Sequence, residues 1–534
     1  MAYVVTQNCC NDASCVPVCP VDCIHPAPGE PGYRTAEMLY IDPDTCIDCG
    51  ACADVCPVEA IRPDDDLEGL DLRYLEVNAD YYARSTETAA DLPQPTMPDR
   101  ISVTGTRLPL RVAVIGSGPS ASYAADELLA RRDIDIEVTM IERLPFTGGL
   151  VRYGVAPDHA KTKMVDRTFA RTIRRAGATF YLDVEVGRDV SLDEVADHHH
   201  AVIVATGADE DRRLGIDGED LPGVHSAREF VAWYNGHPDF ANSWFDLSHE
   251  RAVVVGNGNV ALDVARILSA EVDDLRRTDI ADHALDALAE SAVREVVVLG
   301  RRGPDAAACT VPELLGLSEM SGADVIVDGD VHVDSDATYK TRLLAEYASA
   351  VPHRSRRITL RFHSAPLEIV GGDRVRAIRL AAQDRAVNEL DTGLVLRSIG
   401  YRGRPFGDLP FDERRGTIAN VDGRVCEAGS ERPVVGRYVT GWIKRGPSGV
   451  IGTNRQCARE TVANLLVDYE SNLLTDPSGS ANIFDRLVRS RRPSAMTADD
   501  WFAVDRHERA AGRGQGRPRV KLLDPSVVHA CAPR

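Results

Sequence analysis

An α/β protein is predicted, with two Rossmann-like dinucleotide-binding domains behind a small cysteine-rich α+β domain. Three observations predict it. From residue 109 to about 470, short β-rich runs such as IEVTMIE and AVIVATG alternate with helix-like stretches, the pattern of parallel sheets flanked by helices. Two of the runs, RVAVIGSG and RAVVVGNG, end in glycine-rich turns that open helices. Nine of the thirteen cysteines fall within the first 56 residues, in C-x-x-C spacing.

The chain has 534 residues, too many for one core. Composition divides it into four blocks. Residues 1–66 are cysteine-rich and acidic. Residues 67–108 carry PQPTMP and little apolar periodicity, as a linker does. Residues 109–212 and 360–470 are expected to form one discontinuous dinucleotide-binding domain, with 213–359 as the second. Residues 471–534 are a C-terminal extension with a basic, glycine-rich tail (RAAGRGQGRPRVK), expected to be mobile. The net charge of −21 disfavours nucleic acid and anionic membrane surfaces as partners. No apolar run reaches 18 residues, which argues against membrane insertion. The N-terminus lacks a basic segment followed by a long apolar one, so a cytoplasmic protein is expected. In that compartment clustered cysteines read as metal ligands, not disulfides.

The cysteine block holds the motif Cys46-x2-Cys49-x2-Cys52-x3-Cys56-Pro57. Three thiolates two residues apart wrap one corner of an iron–sulfur cubane, and the fourth, before proline, reaches a second cluster. An earlier copy is degenerate: Cys9-x2-Asp12-x2-Cys15-x3-Cys19-Pro20 has Asp12 where the middle cysteine belongs. Crossed ligation assigns Cys46, Cys49, Cys52 and Cys19 to one [4Fe-4S] cluster. Cys9, Cys15 and Cys56 remain for the other, which is either a [3Fe-4S] cluster or a [4Fe-4S] cluster completed by Asp12 or water. Asp12 is the harder, more labile ligand of that set, or else a turn cap. Cys10 is an alternative to Cys9, and Cys23 is left over as a thiol packed beside a cluster.

In the first dinucleotide motif, Gly116 and Gly118 form a pyrophosphate cradle at a helix N-terminus. The next strand ends in Glu142, placed to hydrogen-bond a ribose, and a third ends at Thr206-Gly207, as in folds that bind FAD. The second motif has Gly256 and Gly258, and its next strand ends in Arg301-Arg302 instead of an acid. Two guanidiniums bind a 2′-phosphate that a carboxylate would repel, so NADP(H) is expected over NAD. Gly256 and Arg301 are further apart than the usual ~20 residues, which calls for a helical insertion between them.

Residues 1–66 resemble a bacterial seven-iron ferredoxin, through PVCPVDCIH and MLYIDPDTCIDCGACADVCPVEAI, with a shorter Cys9-to-Cys15 spacing. PFTGGLVRYGVAPDH, VVVGNGNVALDVARIL, LGRRGP and GWIKRGPSGVIGTN resemble adrenodoxin-reductase-type ferredoxin–NADP reductases, from about 110 to 465. The combination is similar to the fused bacterial ferredoxin/ferredoxin–NADP reductases. That resemblance implies FAD contacts at Ala121, Glu142, Leu150, Val184, Trp442, Gly449, Val450 and Ile451. It implies NADP contacts at Gly258, Asn259, Val260, Ala261, Arg301, Arg302 and Glu313, with Gly449 near the nicotinamide. It further implies hydride transfer between NADPH and FAD. Single electrons then pass to the fused clusters and on to an external acceptor such as a cytochrome P450 or another redox protein.

Such chemistry needs positioning more than side-chain catalysis. His159 is the one candidate for positioning or proton movement, with a structural histidine as the alternative. The His198–His200 run precedes a buried strand and is read as structural. Three rival functions remain. A flavin disulfide reductase needs a redox cysteine pair that Cys309, Cys426 and Cys457 do not provide. A glutamate-synthase-like electron-input subunit would accompany a large partner. A redox sensor would show no turnover.

Overall fold

The computed structural model describes residues 2–84, 109–382 and 386–531. The PQPTMP segment of the expected linker lies outside them. No helix among the described residues is long and apolar enough to cross a membrane.

In the N-terminal domain, β1 (Tyr3–Val5) pairs antiparallel with β4 (Ile61–Pro63), and β2 (Ile24–His25) with β3 (Tyr40–Ile41). The short helix α1 (Ala51–Val55) carries Cys52. The domain does not end at residue 66. Helix α2 (Arg73–Arg84) completes it, because the buried Asn78 side chain accepts from the amides of Val5 and Ile41 and donates to Val5 O. One amide group thus bridges two strands that lack a neighbour on that side, so the start of the expected linker is structured.

The first dinucleotide-binding sheet contains β5 (Leu110–Ile115), β6 (Ile136–Glu142), β7 (Ala178–Leu182) and β8 (Ala201–Val204). All four are parallel, and β5 sits between β8 and β6. Their continuous apolar runs follow from burial on both faces. Helix α3 (Pro119–Leu129) leaves the glycine turn after β5, with proline at its first position where no amide is needed. The short helix α4 (Leu150–Tyr153) follows β6.

The second sheet is all parallel and runs, in spatial order, Val224–Ser226, Leu394–Arg397, Arg251–Val255, Glu295–Leu299, Arg357–Arg361, Asp324–Asp328. In chain order these are β9 (Val224–Ser226), β10 (Arg251–Val255), β11 (Glu295–Leu299), β12 (Asp324–Asp328), β13 (Arg357–Arg361) and β14 (Leu394–Arg397). Helix α5 (Asn259–Ser269) leaves the turn after β10, and the expected insertion is present as two short helices, Val272–Leu275 and Asp282–Ala289. Helices α6 (Val311–Ser318) and α7 (Tyr339–Ser349) complete this half.

The boundary expected at 360 is corrected here. β14 lies inside this second sheet, between β9 and β10, so the chain returns to the first sheet only after residue 397. The reason is topological: an all-apolar LVL run fits a central strand of either sheet, and only its partners decide. The return adds β15 (Arg424–Cys426) and β16 (Pro433–Val439), with β16 parallel to β8.

The chain then forms α8 (Trp442–Arg445) and α9 (Thr453–Glu470), and α9 packs on α3. The C-terminal extension is a second correction. It folds into α10 (Ala481–Arg491), α11 (Ala498–Gly514) and α12 (Pro525–Cys531), and its basic tail is buried at Arg517, Arg519 and Lys521. Acidic partners neutralise it, Glu508 and Asp505 on the preceding helix for Arg519, and the distant Asp282 for Arg517 and Asp279 for Lys521.

Candidate functional site

Five of the thiols line one pocket of the N-terminal domain. Cys19, Cys46, Cys49 and Cys52 face each other there, together with Cys23, Tyr3 and Ile41. Cys23 Sγ lies 3.5 Å from Cys19 Sγ, so the leftover thiol is at the edge of this set. Cys9, Cys10, Cys15 and Cys56 share their electrostatic surroundings with Asp12. Burial pushes the Cys9 thiol up to about 12 and the Cys52 thiol up to about 11. Sulfurs buried this way stay thiolates only against a bound cation, and all-sulfur donors suit iron–sulfur clusters.

The Asp12 carboxylate makes the contacts of a turn cap. Its Oδ1 accepts from Ser14 N at 3.3 Å. Its Oδ2 accepts from the Ser14 hydroxyl and from Arg455 Nη1, the latter at 3.5 Å. Cys10 is buried among apolar residues of the first dinucleotide-binding domain, apart from the Cys19 set.

The turn after β5 brings Gly116 to φ +111°. A Cβ there would meet Ala205 O at 2.7 Å, and one at Gly256, φ +117°, would meet Ser398 O at 2.2 Å. Both turns therefore exclude side chains and leave the helix N-termini of α3 and α5 open to a phosphate. Glu142, at the end of β6, accepts from Ser117 N at 3.0 Å and Ser117 Oγ at 2.8 Å, with Leu144 N on its other oxygen. Burial pushes its carboxyl up. Ala121 and Val184 are buried beneath this turn, and Leu150 is exposed.

Across from α3, Ser120 donates to Asn454 Oδ1 at 2.8 Å, and Asn454 donates to Val450 O and Ile451 O. The Gly449–Ile451 turn is thereby tied to the first glycine turn. Beside it, Arg445 is bonded through Nη2 to Ser448 O and Asn454, while its buried Nε and Nη1 have no oxygen or nitrogen partner among the described residues. Buried donors left unpaired fit a site that an anionic or carbonyl-bearing group completes.

A broad cleft runs over the C-terminal ends of the second sheet. Gly256, Gly258, Asn259, Val260, Arg301, Arg302 and Trp442 line it. Among the described residues, Arg301 and Arg302 form no ion pair, and both are exposed. The neighbouring Arg397 is paired with Asp211 and Glu219, and Arg213 with Asp220. Asn259 accepts from Thr310 N at 2.8 Å, which anchors the loop after Arg302 to the glycine turn. Sequence reasoning missed Arg228 and Tyr401 on this wall. Tyr401 stacks on Trp442 at 5.8 Å, and no local motif announces either residue.

Ala261, Glu313 and Gly449 are not on the cleft wall. Ala261 is fully buried behind it. Glu313 lies in the first turn of α6 with its Oε1 3.8 Å from His159 Nδ1. The Arg266 guanidinium occupies the centre of this group. It contacts Asp158 at 2.5 Å, Asp263 at 2.6 Å, Glu313 at 3.3 Å and His159 Nε2 at 2.5 Å. Burial opposes ionisation of Asp158, but Arg266 more than reverses it and holds the carboxyl down at about 2. His159, Asp263 and Glu313 are close enough to bind a metal, but Arg266 already supplies the cation. In the His198–His200 run, His199 bonds Val195 O and Thr139 Oγ1, a structural role.

The sequence profile of the family described as pyridine nucleotide-disulphide oxidoreductase matches residues 110–299, and that of the 4Fe-4S binding domain matches 39–62. Cys309, Cys426 and Cys457 are each buried and unpaired, so the cysteine pair of a disulfide reductase is absent among the described residues. The chain is 48% identical over its full length to the probable ferredoxin/ferredoxin–NADP reductase of Mycobacterium tuberculosis strain H37Rv, covering 95% of that protein. It is likewise 48% identical to that of Mycobacterium leprae, covering 98% of it. The structure superimposes on Mycobacterium tuberculosis FprA in complex with NADPH with a TM-score of 0.74 and 43% identity. That match covers 79% of this chain and 99% of the other.

Proposed function

The chain belongs to the ferredoxin/ferredoxin–NADP reductases, and on that premise we propose that it oxidises NADPH and passes the electrons through its own iron–sulfur domain to an external one-electron acceptor. As an oxidoreductase it draws on FAD, which exchanges two electrons with a nicotinamide and one with a metal cluster. The single observation that carries the reading is the pair of unpartnered guanidiniums, Arg301 and Arg302, on the wall of the glycine-turn cleft.

The remaining roles are assigned as follows. Gly116, Gly118 and the N-terminus of α3 hold the FAD pyrophosphate, and Glu142 the adenosine ribose. Ala121, Leu150, Val184, Trp442 and the Gly449–Ile451 turn enclose the rest of the flavin. Gly256, Gly258, Asn259, Val260 and Ala261 present the N-terminus of α5 to the NADP pyrophosphate, and Gly449 borders the nicotinamide. His159 and Glu313 act as positioning residues, because Arg266 locks both at the junction of the two domains.

Anaerobic stopped-flow mixing with NADPH tests the function. Flavin bleaching followed by reduction of the clusters is expected, with steady turnover once ferricyanide or cytochrome c is added. A flavin that NADPH does not reduce would sink the reading.

Cys19, Cys46, Cys49 and Cys52 hold a [4Fe-4S] cluster, and Cys9, Cys15 and Cys56 a [3Fe-4S] cluster. The engagement of Asp12 with Ser14 and Arg455 supports three irons in the second. About seven irons per chain are expected from this ligand count. Asp12→Asn, which keeps the turn, should leave iron content and the EPR signal of the oxidised three-iron cluster unchanged. Asp12→Cys should raise iron by about one per chain, since one thiolate completes one corner, and remove that signal. Iron lost from Asp12→Asn would make Asp12 a ligand after all.

A further inference from the structure

The two thiol sets are placed unequally with respect to the reductase. The Cys9–Cys10 loop touches it directly. Gly452, one residue beyond the Gly449–Ile451 turn, donates its amide to Cys10 O at 2.7 Å. The contact is so close that a Cβ at Gly452 would lie 2.1 Å from Asp12 N and 2.2 Å from Asn11 C, so no side chain fits. Arg455, in the first turn of α9, closes the contact. Its Nη1 donates to Ser14 Oγ at 2.7 Å, to Asp12 O at 3.3 Å and to Asp12 Oδ2 at 3.5 Å. Cys10 is buried in the apolar core beneath β5, and Cys9, Cys56 and Ile451 pack against that core, while Cys15 is buried in the neighbouring core that Cys9 and Cys56 also touch.

The other set reaches solvent at one corner, with Cys52 buried and Cys19 and Cys46 half-buried behind it. Cys49 is exposed, Ile47 beside it is 58% exposed, and Val55 on α1 is 39% exposed. Asp44, Asp48 and Asp54 are exposed around them. The orientation is held at a second place, where Arg73 pairs with Glu346, Lys340 with Glu37, and Arg342 with Glu76, between the N-terminal domain and α7. The iron–sulfur domain is therefore fastened on two sides, with one thiol set toward the flavin turn and the other toward solvent.

We propose that the Asn11–Ser14 loop and the Gly452/Arg455 start of α9 form a permanent internal docking joint. It makes the Cys9/Cys15/Cys56 set the point where electrons enter the iron–sulfur domain and the Cys19/Cys46/Cys49/Cys52 set the point where they leave. This rests on the function proposed above. Each NADPH oxidised to NADP+ and a proton releases two electrons, which leave one at a time and reduce two molecules of acceptor. Asp12 acquires a reason to replace the cysteine of the motif: a carboxylate off the cluster keeps its full charge for Arg455 across the joint, whereas a thiolate on iron shares its charge with the metal. Arg455 is a positioning residue. The acidic, apolar-centred exit face suits a basic one-electron redox protein.

The test uses the full-length holoenzyme with NADPH, ferricyanide as a small oxidant that takes electrons at the flavin, and cytochrome c as a basic protein acceptor. Arg455→Glu should leave ferricyanide reduction within about twofold of the wild type. It should slow cluster reduction, followed by freeze-quench EPR, by about tenfold or more, because small misplacements of reacting centres cost rate steeply. Arg455→Lys should restore most of the rate. Hydrogen exchange at the amides of residues 10–14 should rise in Arg455→Glu and not in Arg455→Lys. If Arg455→Glu does not fold, Ser14→Ala should show the same pattern at smaller amplitude. The double variant Asp44→Lys/Asp54→Lys should behave oppositely, with cluster reduction unchanged and cytochrome c reduction slowed. Wild-type cluster reduction in Arg455→Glu, or slowed cluster reduction in the aspartate variant, would overturn the assignment. A wild type that cannot reduce ferricyanide with NADPH would instead overturn the function and leave the joint to the exchange measurement.

Discussion

Glu508→Ala is expected to destabilise the protein by about 3–5 kcal/mol, the cost of leaving buried charge without its partner. Glu508 is fully buried on α11. It accepts both terminal nitrogens of Arg152, at 2.9 and 2.6 Å, and Arg519 Nη1 at 2.9 Å. The Leu522 amide adds a fourth bond at 2.9 Å. Arg152 lies on α4, its guanidinium 4.4 Å from the centre of the Phe146 ring, so it cannot swing to water without unpacking that core. The deletion strands the Arg152 guanidinium and takes from Arg519 one of its carboxylates, leaving it Asp505 at 2.9 Å. Beyond them the same strap reaches the second domain, where the buried Lys521 meets Asn235 at 3.0 Å and Asp279 at 3.3 Å.

Unfolding followed by helix signal and by flavin release should shift together in Glu508→Ala. A change of less than about 1 kcal/mol, the range of an exposed pair, would show that the cluster is not holding the domains. Replacing Arg152, Glu508 and Arg519 together by methionine should recover much of the loss. The pH dependence has a definite sign. Burial alone would raise the Glu508 carboxyl, but Arg152 and Arg519 more than offset it and hold it below its usual range. Its contribution is therefore complete above the unfolded value of about 4.3 and disappears as pH falls through the lower folded value. Wild type and Glu508→Gln should converge in stability at acid pH.

Arg301→Ala/Arg302→Ala should raise the KM for NADPH by roughly one hundredfold, with KM for NADH changed by less than about threefold. Each charge-assisted hydrogen bond to a phosphate contributes about 1.5–3 kcal/mol, and 1.4 kcal/mol is tenfold in binding. The effect is large because these two guanidiniums have no competing carboxylate among the described residues, unlike Arg213, Arg397 and Arg402 on the same wall. Removing Arg397 instead would unpair Asp211, take one cation from the buried Glu219 and cost folding stability as well. Steady-state kinetics with both nucleotides decide it. An NADPH/NADH preference that survives the double substitution would refute the assignment of the 2′-phosphate site.

Local signals were legible because they are imposed by nearby backbone. The glycine turns at Gly116 and Gly256 must read as glycine, since a Cβ would strike a carbonyl of the adjacent strand. The C-x-x-C run and the Arg301-Arg302 strand end are likewise contiguous, and so the cofactor classes could be read from them. The corrections all involve partners far apart in the chain. β14 joined the second sheet because of what it pairs with, not because of its composition. Arg517, Arg519 and Lys521 look like a solvated tail until Asp282, Glu508 and Asp279 are brought to them. Asn78, which extends the N-terminal domain to residue 84, acts on strands up to 73 residues away.

The sequence by itself determined the family, the FAD/NADP reductase fold and the 4Fe-4S binding motif, because each depends on residues within one turn or one strand of each other. Only the tertiary structure decided which loop of the cysteine-rich domain meets the Gly449–Ile451 turn, which groups the Asp12 carboxylate contacts, and why the basic C-terminus is buried. Those outcomes depend on charges and backbone groups that meet across domains, such as Arg455 with Asp12 and Gly452 with Cys10. Burial makes such contacts strong, and separation along the chain hides them from any local pattern.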